Sequence, residues 1–180
     1  LGVMILALQM ITAATAPLAH AAGVKTLLAQ LSGDTMLDVL IGAMFAVLSY
    51  SSLAVVLLVA TLAASHVLPL HVALPLVLGA NLGSGCLALL TTMKSDAVTR
   101  RVPLGNFVFK AVGLVLALAL LPFVMPKLLT LRVEPGTLVV AFHLAFNVLL
   151  ALTFIQFTGR LARLTERWLP DVRSPEGVGQ

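Results

Sequence analysis

Gly79-Ala80-Asn81-Leu82-Gly83-Ser84-Gly85 and, thirty residues before it, Ser49-Tyr50-Ser51-Ser52 interrupt a run, residues 39–93, that holds no Asp, Glu, Lys or Arg. A stretch so free of charge is built for a non-aqueous solvent. Within hydrocarbon an unpaired amide or hydroxyl costs several kcal/mol, so polar backbone-rich breaks survive there only where protein or a watery cavity supplies partners. Two such breaks in one apolar stretch predict helix ends that meet at a polar site inside a membrane.

The composition agrees. The 180 residues are 60% hydrophobic and 10% charged, with a mean hydropathy of +1.10. Soluble domains carry about a quarter charged residues. The apolar runs are long and continuous rather than alternating, which selects an all-α polytopic membrane protein over a barrel. The net charge of +4 lies in loops and the C-terminal segment, without the basic–aromatic interleaving of a nucleic-acid binder. A single cysteine, Cys86, excludes a disulfide within the chain.

Outward from the two breaks, about four transmembrane helices and one re-entrant helical hairpin are predicted. Residues 1–19 form a first span, with residues 20–33 as a polar connection. Asp34 and Thr35 are N-cap candidates for the helix that follows. Residues 36–48 and 53–64 are each too short to cross ~30 Å of hydrocarbon, so 36–64 reads as a hairpin with the Ser/Tyr cluster at its tip, in preference to a single long helix with a polar patch midway, which would run well past the bilayer. Residues 70–93 read as a helix broken at the glycine-rich run, since Gly79, Gly83 and Gly85 permit positive φ and close backbone approach. Spans over 104–121 and 136–157 follow, separated by a proline-bounded loop. The transmembrane repeat thus covers 1–157. Residues 158–180 comprise a basic amphipathic segment, with Trp168 as interfacial anchor, and a polar tail or linker. The basic loop 94–103 and the Arg160/Arg163/Arg167 segment share one side, cytoplasmic by the positive-inside rule.

The polar residues fall into groups. Ser49, Ser51 and Ser52, with Tyr50 among them, place hydroxyls and freed N–H groups where an oxyanion can bind. Alternatively, the serines bond back to carbonyls one turn earlier. Asn81 needs partners at membrane depth, and its carbonyl suits a cation; the glycines around it could instead be a small-residue packing face. Asn106 and Asn147 could line the same cavity or act as interhelical glue. His143, one turn from Asn147 on the same face, reads as a structural hydrogen-bonder. His66 and His71 read as interfacial, and Asp38 as a helix-end capping group. No metal-ligand spacing involves the histidines or Cys86.

The Ser51-Ser52 pair at a hairpin tip, Gly79-Ala80-Asn81-Leu82-Gly83 after it, and Arg100-Arg101-Val102-Pro103-Leu104-Gly105-Asn106-Phe107-Val108-Phe109 beyond resemble the type II sodium/phosphate cotransporter family. The likeness is greatest to the bacterial branch, whose members often carry a PhoU-like domain after the membrane part. That family is built of two inverted repeats, each with a Gln-Ser-Ser-Ser hairpin and a Gly-Ala-Asn-Ile/Leu-Gly break. Here Ser49 stands for the glutamine, Tyr50 occupies the middle position, and Ser84-Gly85 follows where a threonine pair is common.

The resemblance covers about residues 1–157, one repeat, and favours the second. It implies a sodium-coupled inorganic phosphate symporter, or half of one, working by alternating access in a bacterial inner membrane. Ser49, Ser51, Ser52, Gly79, Asn81, Gly83 and Ser84 would face phosphate and Na⁺, with Na⁺ near Ser52 and Asn81. The missing first repeat, or a second copy, would complete the site, and the absent initiator Met marks the chain as an expected fragment. No enzymatic activity is expected. The rivals are a regulatory or assembly subunit that kept the repeat and, remotely, an intramembrane serine hydrolase using Ser84 of Gly83-Ser84-Gly85 with His143.

Overall fold

The computed structural model describes residues 34–170, preceded by four helical positions, Gly2, Leu6, Met10 and Ala13. The expected span over 1–19 therefore lies largely outside the described residues, as does the tail beyond residue 170. All regular structure among the described residues is helical.

Asp34 starts α1, Thr35–Leu48, by accepting from the N–H groups of Met36 and Leu37 at 2.9 and 3.2 Å. The capping role expected of Asp38 thus falls to Asp34. Asp38 is instead fully buried one turn later, and among the described residues neither of its carboxylate oxygens has a hydrogen-bond partner. Helix α1 ends in a complete Schellman motif, with Ser51 N–H on Ala46 O and Tyr50 N–H on Val47 O. The left-handed residue this motif requires is Tyr50, at φ 54. Ser51 then serves at once as the N-cap of α2, Ser52–Ala64, its Oγ accepting from Ala54 N–H at 3.1 Å. The tip is therefore a one-residue reversal between two caps.

A second Schellman motif closes α2, with Val67 N–H on Leu62 O, His66 N–H on Ala63 O, and His66 at φ 55. At ~1.5 Å per residue both helices are about 20 Å long, short of the ~30 Å hydrocarbon core. This is the helix–turn–helix that the two short apolar runs predict.

The next element departs from expectation. Helix α3, Leu70–Thr91, runs unbroken through Gly79–Gly85. The glycines are used for approach rather than unwinding. A Cβ on Gly42 would stand 2.0 Å from Leu76 O, one on Gly79 2.0 Å from Val39 O, and one on Gly83 2.3 Å from Ala43 O. Backbone lies directly on backbone along this seam, and a helical glycine is what permits it. Val39 opposes Gly79 and Ala43 opposes Gly83, four residues on in both chains, so α1 and α3 run parallel.

Helix α3 is the core of the fold. Of its apolar window 67% is buried, against 17% for α4 and 11% for the stretch beginning at α5. Leu74, Leu76 and Val77 pack with Val56, Leu62, Leu68 and Val139, and Leu78 packs with Val39 and Leu114.

Helix α4, Ala97–Thr130, is 34 residues long and contains Pro103, Pro122 and Pro126. The sequence reading ended this span at Leu121 and gave a loop from 122 to 135. The helix instead continues through both later prolines, each of which deletes only one backbone hydrogen bond, and the connection shrinks to residues 131–134. The basic stretch 94–103 is likewise mostly helix, with residues 92–96 as the actual link.

Glu134 caps α5, Pro135–Phe154, accepting from Gly136 and Thr137 N–H at 2.7 Å each. Gly136 sets this start against α2, since a Cβ there would be 2.6 Å from Ala60 O. A 3₁₀ turn, Ile155–Phe157, leads into α6, Thr158–Trp168. Helix α6 returns across the start of α4: Leu161 lies against Gly105, and Arg101 donates from Nε and Nη2 to Leu169 O at 3.1 and 2.8 Å. The C-terminal ends of α1 and α3, the N-terminal end of α4, and α6 therefore share one end of the bundle.

Two outcomes check this account. Gly79→Ala should lower the melting temperature in detergent by several degrees, since overpacking costs about 1–3 kcal/mol and each kcal/mol is worth about 2–4 °C at this size. Gly85→Ala, whose Cβ would meet Lys110 Cδ at 3.3 Å and Phe107 Cα and Cδ2 at 3.4 Å, needs shifts of only tenths of an ångström and should cost clearly less. Equal melting of the two would refute the backbone seam.

The second outcome concerns Glu134, whose carboxyl is held below the usual carboxylate range by the N–H groups of Gly136 and Thr137. A depressed folded value means stabilisation that is present above the unfolded value, near 4.3, and is lost as pH falls through the folded one. Melting of the unsubstituted protein and of Glu134→Ala, compared across pH, should differ at neutral pH and converge under acid. A constant gap would rule the cap out.

Candidate functional site

Two separate polar places emerge. The first is the α1–α2 tip. Ser49 Oγ lies 2.7 Å from Phe45 O and 3.0 Å from Ser51 O, so this serine bonds back into its own helix and turn. Ser51 Oγ is engaged as the cap. Ser52 is the first residue of α2, partly buried, and its hydroxyl has no hydrogen bond among the described residues. Tyr50 is 74% exposed. A bulky residue in the left-handed region is strained by roughly 1–2 kcal/mol, and since little packs on Tyr50, the two Schellman bonds and the Ser51 cap must hold it.

The second place lies among α3, α4 and α5. Asn81, 2% exposed, donates from Nδ2 to His143 Nδ1 at 3.0 Å. Because an amide nitrogen can only donate, Nδ1 accepts and a neutral ring carries its proton on Nε2. Asn147 Nδ2 donates to His143 O at 2.8 Å and stands 3.5 Å from both ring nitrogens, a contact rather than a bond. On the next turn of α3, Ser84 Oγ donates to Asn81 O at 2.7 Å, and Lys110 of α4 sets its ammonium on the Ser84 hydroxyl at 2.5 Å. The cluster is thus Asn81, Ser84, Lys110, His143 and Asn147, from three apolar helices.

Several expectations change. Gly79 and Gly83 face α1 across the seam while Asn81 faces α5, so the glycine run serves two faces of one helix rather than opening a break. The tip and Asn81 stand at different levels: in the parallel register Ser49 lies six residues past Ala43, about 9 Å beyond the level of Gly83, and among the described residues no hydrogen bond joins the two places. Asn147 does join the Asn81 cluster. Asn106 does not: it is exposed and lines a groove of about 350 Å³ between α4 and α6, with Arg101, Phe109, Leu161 and Glu166. The Ser84–His143 dyad is absent, since Ser84 bonds to Asn81 O and Lys110 while His143 bonds to Asn81.

Lys110 is the residue the sequence reading passed over. It lies 17 residues past the uncharged run and nine past Arg101, within a stretch, 102 to 126, that holds no other charged residue. A lone ionisable residue inside a span is the signal that could have found it. Among the described residues no group of three or more His, Cys, Asp or Glu could hold a metal ion.

The chain matches the family described as Na+/Pi-cotransporter over residues 3–166. It is 46% identical over 174 residues to a protein of Salmonella typhimurium named "Putative inorganic phosphate export protein YjbB", covering 95% of this chain and 32% of that protein. The protein of the same name from Escherichia coli K12 is 43% identical over 171 residues, again 95% of this chain and 32% of the relative. The chain therefore spans about a third of the length of these relatives. No solved structure matches it.

If the Asn81–His143 pair joins α3 to α5, a double-mutant cycle of Asn81→Ala and His143→Ala should give a coupling of about 0.6–1.7 kcal/mol, the range known for interhelical bonds in membranes. Strictly additive melting shifts would dissolve the pair.

Proposed function

Since the chain belongs to the Na+/Pi-cotransporter family, we propose that it is one repeat of a membrane protein that moves inorganic phosphate across the bilayer. The observation carrying this reading is the tip. A helix start inside a chain of bilayer-length helices presents the Ser52 hydroxyl and the first N–H groups of α2, all donors, at the positive end of the helix dipole. These are the groups a phosphate oxyanion requires. They coincide with the Ser-Ser pair that the family resemblance marks as substrate-facing. The helix-turn-helix is read as a re-entrant hairpin because neither arm reaches across ~30 Å, and a preceding repeat or a second copy supplies the facing half.

The tip end of the bundle also carries Lys94, Arg100, Arg101 and the arginines of α6, which makes it the cytoplasmic end by the positive-inside rule. The membrane is then a bacterial inner membrane. Sodium is the coupling ion the family suggests, whereas the relatives bear a name for phosphate export. Direction and coupling are therefore one experimental question. The regulatory-subunit reading has no observation of its own, because the departures at Ser49 and Tyr50 leave the α2 start intact. Transport is favoured over catalysis.

Proteoliposomes of the full-length protein should carry radiolabelled phosphate in a manner that saturates. Ser52→Ala, which leaves the Ser51 cap untouched, should cut kcat/KM by about tenfold, the worth of a hydrogen bond to a charged group. Ser51→Thr, which keeps a capping oxygen, should retain more flux than Ser51→Ala. Flux that is unchanged when the sodium gradient is removed would end the symport claim, and flux indifferent to Ser52 would move the site elsewhere.

A further inference from the structure

The Asn81 cluster is not used by the tip, and it contains the one feature of the spans that composition least explains: a lysine ammonium among apolar helices. The lysine is held in a defined place. Its stem runs past Gly85, where a Cβ would come within 3.3 Å of its Cδ, and its nitrogen rests on Ser84 Oγ. That hydroxyl has already given its proton to Asn81 O, so it can only accept, and it fixes one of the three ammonium N–H groups. Among the described residues nothing takes the other two, and no Asp or Glu belongs to the cluster. His143 lies within range of the lysine's charge and, bonded through Nδ1 to Asn81, keeps Nε2–H as a further donor. Donors outnumber acceptors here.

Magnitudes decide between glue and function. A lysine at the centre of a span costs about 2.5–3.5 kcal/mol on insertion scales. A single bond from the ammonium to a hydroxyl, charge-assisted, returns about 1.5–3 kcal/mol, so it at most offsets that cost, and a neutral side chain would have avoided the cost altogether. An ammonium kept at that cost, with spare donors and no counter-ion among the described residues, is complementary to an anion.

We propose that Lys110 is an oxyanion-binding residue, a fixed cation seated on Ser84 that contacts phosphate on its way through the α3–α4–α5 interior and supplies from the protein one positive charge the anion needs there. The proposal rests on the phosphate-transport reading for its substrate, and on the cluster's own geometry for its place. It assigns this cluster to the anion, where the resemblance assigns Asn81 to a sodium ion.

The test uses the full-length protein with Lys110→Met, Lys110→Gln and Lys110→Arg, inorganic phosphate as the probe, and two readouts: saturable phosphate flux in proteoliposomes, and phosphate-induced thermal stabilisation in detergent. Both neutral variants should raise the KM for phosphate about tenfold or more, the worth of a charge-assisted bond, and lose most of the phosphate-induced shift. Lys110→Arg should stay closer to the unsubstituted protein. Melting without phosphate separates misfolding from lost binding, and Lys110→Gln stands in if Lys110→Met does not fold.

Unchanged KM and unchanged stabilisation in a folded neutral variant would overturn the proposal while leaving phosphate transport standing. Unsubstituted protein that binds phosphate without carrying it would overturn the transport reading alone, and the loss of binding in Lys110→Gln would still support the assignment. Unsubstituted protein that shows neither flux nor stabilisation would overturn both.

Discussion

The structure depends on backbone-to-backbone contact between α1 and α3. At Gly42, Gly79 and Gly83 there is no room for even a methyl group, so the short helix α1 lies along α3 more tightly than side chains would permit. In lipid, where the surrounding tails are as apolar as leucine, this kind of packing is what holds helices together, because burial alone gives little preference for protein over lipid. A helix of only 14 residues is thereby fixed along α3. Its C-terminal end can then be a turn rather than an exit into water.

The two polar places follow from that arrangement. Because one face of α3 is given over to the seam, its polar atoms emerge on the faces toward α4 and α5, where Asn81 finds His143 and Ser84 finds Lys110. Because α1 is held in register, the Tyr50 reversal is delivered to the same end of the bundle as the basic link and α6. Glycine on one face and asparagine on another are distinct uses of a single seven-residue stretch.

Much of this was legible in the sequence. The short apolar runs 36–48 and 53–64 around a serine cluster favour two short helices with a turn between them, and the Asp34 cap, the turn at Tyr50 and the all-helical class follow from local chemistry. The glycine stretch was not legible. Glycine serves unwinding and close approach equally well, and the partner that decides, the backbone around Val39, Gly42 and Ala43, lies some forty residues away and is identified only by the fold. The ends of α4 were hidden for a related reason: proline marks a boundary in water but is carried inside a helix whose neighbours and environment keep it wound. Lys110 was legible and was overlooked, because attention to the charge-free run stops short of it. Its partner Ser84 could not be assigned without coordinates.

The α1–α3 seam also limits how the molecule can work. Surfaces locked carbonyl to glycine cannot slide past one another as side-chain-lined helices can. In any cycle that exposes the tip first to one compartment and then to the other, α1 and α3 must travel as a single strut. Gly136 holds the start of α5 against α2 in the same way, 2.6 Å from Ala60 O to a Cβ placed there, so α4, joined to α3 by residues 92–96, is the helix left without such a lock. The polar cluster of Asn81, Ser84, Lys110 and His143 straddles the α3–α4 contact, so the cargo would be gripped by the moving and the stationary parts at once.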